Sequence, residues 1–264
     1  MDKIENAIKE VHFIDNKSNK LLNKIHPLVK LVLTVIYIIF LTSLNKYDLT
    51  KTLAMGIYLW LISIIGDISI KNCLSKLKIV LLLLIILGIA NPILDRNVIA
   101  YIGIIPITTG MISAITLILK GVFSIIASYF LITTTSIEDI CYALKKMHIP
   151  SILITVIMLI YRYIVIFLKE VERIWTAYHM RAPKQKGVKF EAWGSMIGSL
   201  MIRSVDKAET VYQAMELRGF NQETFFVKKQ KIEKTDILWL IIGIILLAVI
   251  RFIPIFELIG ELFI

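Results

Sequence analysis

The chain has 264 residues, of which 57 % are hydrophobic, and its mean hydropathy is +0.77. Soluble chains hold about 45–50 % apolar residues, so this composition excludes a soluble globular protein and indicates an integral membrane protein. The net charge is +10. The basic residues lie in loops between apolar runs, where the positive-inside rule accounts for them without nucleic-acid binding. The polar N-terminus MDKIENAIKE shows no cleaved signal peptide.

Five apolar runs predict membrane-spanning helices, since a span needs roughly 20 apolar residues. Pro27 opens the first run at a position that suits the first residue of a helix. The segment NVIAYIGIIPITTG, between the third and fourth runs, is rich in β-branched residues and predicts an extended or hairpin-like external loop. The five runs cover residues 28–44, 52–66, 77–94, 110–132 and 237–253.

A sixth apolar run, residues 149–168, is expected to lie tilted or partly inserted against the other spans. A full crossing would place the very basic region that follows it outside the cell, unless residues 193–202 cross back. Arg162, in the middle of the run, fits incomplete burial. Just before this run, residues 137–147 combine helical apolar spacing with acids first and lysines last, which predicts an interfacial or partner-facing helix.

The distribution of basic loops also predicts the division of the chain. The N-terminal segment and the loop with Lys71 and Lys76 are basic and therefore cytoplasmic, so four crossings return the chain to the cytoplasm. We expect a membrane region with four spans over residues 1–132 and a cytoplasmic helical region over residues 133–236. A last span and a short external tail follow over residues 237–264.

The stretch RSVDKAETVYQAMELRGF, residues 203–220, predicts a polar helix with one apolar stripe. Gly219 supplies a natural helix end. A second copy of the pattern lies 37 positions upstream, so that Arg181 aligns with Arg218, and Pro183 ends that helix. The stripe residues of the two copies are Ile174, Trp175, Tyr178, Val205, Ala208, Tyr212 and Met215.

Two helices that each end in an arginine suit a partner with two equivalent grooves. The alternative is that each arginine only complements the dipole of its helix, a contribution of roughly 0.3–1 kcal/mol.

Ionisable residues within the apolar runs are candidates for function, and they are few: Lys120, Arg162 and Arg251. Lys120 either pairs with a carboxylate of a partner chain or binds backbone carbonyls. The runs offer no metal ligand set, and neither Cys73 nor Cys141 stands in a CxxC pair. A P-loop motif and a nucleophile–base pattern are also missing, so we expect no catalysis, no bound cofactor and no metal site in this chain.

Several motifs resemble the CbiQ/EcfT family, the transmembrane (T) components of energy-coupling factor (ECF) transporters. They are IHPLVKL from Ile25, ITTTSIEDICYALKKMHIP from Ile132, YRYI from Tyr161, and the two arginine-ended helices. The resemblance covers nearly the whole chain. It implies an all-α integral membrane protein with about five transmembrane helices and a cytoplasmic coupling region of two to three long amphipathic helices, in the cell membrane of a prokaryote.

The family's two short Ala-Arg-Gly-like motifs map onto residues 180–182 and 217–219, and both depart from the strict pattern while keeping the arginine. The resemblance implies that these residues dock on a pair of ABC ATPase subunits, while a separate small membrane subunit, the S component, binds the substrate. The motifs are closest to the cobalt-type branch, with nickel or a vitamin as alternatives. A conventional ABC permease and a membrane enzyme remain as rival classes. The implied docking residues are Met180, Arg181, Ala182, Leu217, Arg218 and Gly219.

Overall fold

A computed structural model of the chain describes residues 25–66, 73, 78–95, 98–102, 105–185, 187–220 and 233–252. Over these residues the chain is helical apart from one short β-hairpin. The elements are α1 (Pro27–Thr42), α2 (Leu49–Gly66), α3 (Lys78–Leu94), β1 (Val98–Ile102), β2 (Ile105–Thr108), α4 (Thr109–Thr134), α5 (Ile137–Lys146), α6 (Ser151–Arg181), α7 (Phe190–Leu217) and α8 (Lys234–Phe252).

The chain divides into two compact units. The membrane unit contains α1 to α4, the hairpin and α8, and the helical unit contains α5, α6 and α7. Each of the five predicted spans coincides with a helix of the membrane unit, which confirms an all-α membrane protein. By length and composition α2, α4, α6 and α8 can cross a membrane, whereas α1 and the segment Val80–Pro92 of α3 are apolar but shorter.

The core of the membrane unit forms where α1, α2, α4 and α8 meet. The rings of Tyr37 on α1 and Tyr58 on α2 stack with their centroids 5.2 Å apart. The Tyr37 hydroxyl donates to the Met55 carbonyl at 3.3 Å, which satisfies a polar atom that would otherwise be costly to bury. Phe130 of α4 and Leu247 of α8 complete this cluster, and both are buried.

Glycines allow the closest helix approaches in this unit. A Cβ atom on Gly121 of α4 would overlap the Leu84 side chain of α3. At Gly110 a Cβ atom would overlap the backbone carbonyl oxygens of Asn91 and Asp95. The first turn of α4 therefore packs directly on the end of α3, at a distance that only glycine permits.

His26 and Asp236 join the first turns of α1 and α8. Asp236 Oδ1 accepts the backbone N–H of His26 at 2.9 Å, and its Oδ2 accepts that of Glu233 at 2.9 Å. His26 Nδ1 in turn accepts the Leu28 N–H at 3.1 Å and caps α1. The sequence alone did not identify Asp236, because the residues that this carboxylate joins are 210 positions apart.

The predicted hairpin is present. β1 and β2 pair in an antiparallel arrangement, with Ala100 opposite Ile107 and Ile102 opposite Ile105. The strands are short, and they connect the end of α3 to the start of α4. The β-branched residues of this segment had indicated extended backbone, and this prediction is confirmed.

The helical unit begins with α5, which carries Glu138 and Asp139 in its first turn and Lys145 and Lys146 in its last, as predicted. α6 then runs without interruption for 31 residues, so the sixth apolar run and the first arginine-ended helix form one continuous helix. α7 is longer than predicted. It begins at Phe190, well before Arg203, and therefore includes residues 193–202, which had been considered as a separate crossing.

Candidate functional site

The arginine motif at the end of α6, the first arginine-ended helix, is exposed. Arg181 is the last residue of α6 and is exposed, and the neighbouring Met180 is 76 % exposed. Ala182 is the C-cap residue, and its N–H donates to the Tyr178 carbonyl at 3.1 Å. The end of α6 therefore places an exposed arginine beside an exposed apolar side chain.

Tyr178 organises the loop that follows α6. Its hydroxyl donates to Gln185 Oε1 at 2.7 Å and accepts the backbone N–H of Lys189 at 3.2 Å. The His179 ring lies beside it, with its centroid 5.0 Å from that of Trp175 and 6.0 Å from that of Tyr178. The loop between α6 and α7 is therefore tied back onto α6. This role of Tyr178 was not evident in the sequence, because apolar spacing alone does not show where a hydroxyl will bond.

The second arginine-ended helix closes differently. Arg218 is its C-cap residue, and Gly219 adopts φ +68°, a left-handed conformation that glycine takes without strain. The Phe220 N–H donates to the Met215 carbonyl at 2.9 Å, and the Gly219 N–H donates to the Glu216 carbonyl at 2.9 Å. These two bonds form a Schellman motif. Gly219 thus serves the helix end, as the sequence predicted.

The side chains of the two apolar stripes differ in burial. Ile174, Trp175 and Tyr178 on α6 are half-buried, whereas Val205 and Tyr212 on α7 are exposed, Tyr212 by 67 %. Ala208 is also exposed, and Met215 is half-buried. α7 contains no buried residue along its whole described length. The stripe on α7 is therefore largely an open surface, and the sequence repeat does not produce two equivalent environments.

The open surface of α7 extends back to its first half. Trp193, Ile197, Met201 and Val205 recur every fourth residue, and all of them are exposed. Beside them Gly194 and Gly198 stand four positions apart, and a Cβ atom at either would meet open space. Exposed apolar patches mark interaction sites, and paired small residues allow another helix to approach closely.

The cations of the membrane unit stabilise the end of α1. Lys120 donates to the carbonyl oxygens of Leu44 and Asn45, which agrees with the second of its two predicted alternatives. Arg251 donates to the Phe40 carbonyl at 2.7 Å and to Ser43 Oγ at 3.1 Å. The C-terminal end of a helix carries partial negative charge, so two cations are well placed there. Arg162, the third candidate, is exposed on α6.

Cys141 of α5 is buried, and this burial, followed by the nearby charge of Glu138, raises the pKa of its thiol. A raised pKa lowers the fraction of reactive thiolate. Among the residues that the structure describes, no three His, Cys, Asp or Glu side chains are grouped so that they could hold a metal ion.

Comparison with known proteins identifies the family of this chain. The sequence profile of the CbiQ family, described as cobalt transport protein, matches residues 18–229. The chain belongs to the CbiQ cobalt-transport family. The matched range includes both arginine-ended helices and most of the membrane unit. The CbiQ family consists of membrane components of transporters, which agrees with the expectation of a non-catalytic subunit.

Individual relatives support the family assignment. The energy-coupling factor transporter transmembrane protein EcfT of Ruminiclostridium cellulolyticum is 27 % identical over 222 residues, which cover 76 % of this chain and 80 % of EcfT. An uncharacterized protein of Methanocaldococcus jannaschii is 27 % identical over 241 residues, or 87 % of this chain and 82 % of that protein. The nickel permease LarQ of Lactiplantibacillus plantarum is 28 % identical over 95 residues, or 36 % of this chain and 34 % of LarQ.

Proposed function

We propose that this CbiQ-family chain is the transmembrane coupling subunit of an ECF-type importer in the cell membrane. In this role the ends of α6 and α7 dock on two ABC ATPase subunits, and a separate S subunit binds the substrate. The observation that carries the proposal is the pair of exposed arginine-containing helix ends, residues 180–182 and 217–219, on two long helices of one unit. Leu217, at the second end, is 90 % exposed.

An ATPase groove that takes such a helix end would supply carboxylates or carbonyl oxygens for the guanidinium. The flanking Met180 and Leu217 side chains, exposed in this chain, would then enter apolar contacts. Arginine suits this role, because its planar fork donates several hydrogen bonds in a fixed geometry. Truncation of one partner in a buried pair of this kind costs about 2–5 kcal/mol.

The open face of α7 supplies the contact with the S subunit in this proposal. Gly194 and Gly198 allow a membrane helix to approach the backbone of α7, and Ile197 and Met201 provide apolar contact area beside them. ATP-driven closure of the ATPase pair would displace the two helix ends relative to each other. The helices would transmit this displacement to the S subunit, so that substrate is released to the cytoplasm.

The basic loops support a cytoplasmic location for the helical unit. Lysine and arginine are frequent from Lys169 to Lys234, and an excess of these residues marks the cytoplasmic side of membrane proteins. We retain the tilted or partly inserted arrangement of residues 149–168 as part of the proposal. α6 buries little of its apolar half within this chain, which leaves that half for lipid or for the S subunit.

Cobalt is the proposed substrate, because the family is described by cobalt transport and the motifs are closest to that branch. Nickel and vitamins are the alternatives, and the similarity to a nickel permease supports nickel as an alternative substrate. Uptake of radioactive cobalt by cells that express the whole complex tests the choice. Uptake of nickel or of a vitamin, but not of cobalt, would show that cobalt is the wrong substrate.

Charge reversal at the two arginines tests the docking role. We expect the double variant Arg181→Glu and Arg218→Glu to reduce the ATPase recovered with the purified chain by at least about tenfold, because two favourable charge contacts become repulsive. Lys207→Glu is the matched control, since Lys207 is an exposed cation on α7 away from its end. Full recovery of the ATPases with a helical, monodisperse double variant would show that the arginines serve only as helix ends.

A further inference from the structure

One half-buried carboxylate joins the two long helices of the helical unit. Glu170 of α6 accepts from the guanidinium of Arg203 of α7, and it also accepts from Arg173 on its own helix at 3.4 Å. The Glu170 side chain is 18 % exposed, whereas that of Arg203 is 57 % exposed. The contact with Arg203 connects residues that are 33 positions apart, so it constrains the arrangement of the helices and not only the local turn.

Apolar packing does little to fix α7 on α6. α7 contains no buried residue, and its stripe residues Val205 and Tyr212 are exposed. Packed side chains therefore constrain the crossing point less than ridges and grooves do between well-buried helices. A charge-assisted hydrogen bond is directional, and it is stronger when its carboxylate is partly removed from water. The Glu170–Arg203 pair is thus well suited to determine where the two helices meet.

The position of the pair along the helices also matters. Glu170 precedes Arg181 by 11 residues, which is about 16 Å of helix, and Arg203 precedes Arg218 by 15 residues, or about 22 Å. The chain leaves α6 just after Arg181 and returns through α7 to Arg203. Arg181 therefore lies between the pair and the connecting loop, while Arg218 lies beyond the pair. A rotation of about 10° around the pair would move these ends by about 3–4 Å.

We propose that the Glu170–Arg203 ion pair is the pivot that holds α6 against α7 and converts displacement of the two arginine-ended termini into a change of the angle between the helices. Glu170 and Arg203 are positioning residues in this view, and neither touches the ATPases or the substrate. The coupling part of the inference rests on the proposed function. The pivot itself concerns only the geometry of the helical unit.

Distances between two spin labels test the pivot without reference to transport. Cysteines replace Ala177 and Ala214, equivalent exposed positions of α6 and α7, in the full-length chain with Cys73 and Cys141 changed to alanine. We expect a narrow distance distribution for this chain in lipid nanodiscs and a broader one after Arg203→Gln or Glu170→Gln. Arg173→Gln is the matched control, because it removes the guanidinium within α6 and leaves the contact between the helices.

The reversed pair, Glu170→Arg with Arg203→Glu, should restore the narrow distribution. A distribution that stays narrow in Arg203→Gln, or that stays broad in the reversed pair while helix content is unchanged, would overturn the pivot. A general loss of structure would instead appear as a loss of helix content. The Arg173→Gln control reports whether any change of charge near Glu170 is sufficient to broaden the distance distribution.

Uptake by the complete complex tests the coupling role. Arg203→Gln should keep the ATPases bound but lower substrate uptake by about tenfold, within the range by which single substitutions change the coupling between sites. The reversed pair should recover most of this loss. Broad distances with undiminished uptake would overturn the coupling role. If the wild-type chain binds no ATPases, the proposed function fails, whereas the distance measurements still decide whether the pivot exists.

Discussion

The membrane unit and the helical unit bury their side chains to very different extents. In the membrane unit Tyr37, Leu41, Met55 and Leu247 are completely buried, and they belong to one cluster. In the helical unit the 28 residues of α7 include no buried one, and α6 buries only Ile154 and Thr155 along its 31 residues. One unit has a core of its own, while the other consists of long helices with open faces.

The contrast shows which contacts each unit requires. Apolar side chains on the outside of the membrane unit can face lipid, which covers them without a protein partner. Charged residues are frequent in the second half of α7, so that half meets water, and its exposed apolar residues Val205 and Tyr212 indicate a partner. The membrane unit is therefore stabilised mainly from within. The helical unit, we propose, is completed by the ATPases and the S subunit.

The same substitution, tyrosine to alanine, should have very different effects on stability in the two units. Tyr37→Ala should lower the free energy of unfolding by about 3–5 kcal/mol, because loss of a large buried ring leaves a cavity and removes the stack with Tyr58. Tyr212→Ala should change it by less than about 0.5 kcal/mol, since the Tyr212 ring is exposed. Unfolding of the purified chain in mixed detergent and SDS micelles measures both. Equal losses would mean that α7 has a core contact that its exposure does not reveal.

Glycines provide a second matched pair, with effects of opposite sign. Gly110→Ala should destabilise the chain by about 1–3 kcal/mol, because its methyl group would overlap the backbone carbonyl oxygens of Asn91 and Asp95, which cannot turn away. Gly198→Ala should stabilise it by up to about 1 kcal/mol, since the site is open and alanine is the better helix former. The same unfolding measurement applies. A destabilising Gly198→Ala would show that α7 already packs closely on another part of this chain.

Much of the architecture was predictable from the sequence, because it depends on local patterns. Apolar runs of nearly a membrane's thickness predicted the helices of the membrane unit, and the β-branched segment near Ala100 predicted the hairpin. Gly219 predicted the end of α7, since a residue at that position must adopt a left-handed conformation. Each of these features is determined by residues that are neighbours in the chain.

The features that were missed depend on residues far apart in sequence. Asp236 joins the starts of α1 and α8, and Glu170 meets Arg203 across two helices, but neither acid stands in a pattern of its own. The early start of α7 was missed for a different reason. Its first half, FEAWGSMIGSLMI, contains two glycines and few charges, so its composition alone did not separate a membrane crossing from the beginning of an amphipathic helix.

The ends of α5 and α7 provide a third matched pair, within the helical unit. α5 ends in the same way as α7: the His148 N–H donates to the Lys145 carbonyl at 3.1 Å, and the Ile149 N–H donates to the Leu144 carbonyl at 3.3 Å. His148, however, has φ +64° at the position that glycine occupies after α7. A residue with a Cβ atom is strained there, by roughly 1–2 kcal/mol.

His148→Gly should therefore stabilise the chain by about 0.5–1 kcal/mol, because relief of strain exceeds the larger entropy that glycine loses on folding. Gly219→Ala is the reverse change at the equivalent position, and it should destabilise by about 1 kcal/mol. Melting followed by circular dichroism measures both shifts. If His148→Gly destabilises the chain while Gly219→Ala destabilises it as expected, the cost of a left-handed backbone is supported. The His148 imidazole must then stabilise the folded chain by more than this strain destabilises it.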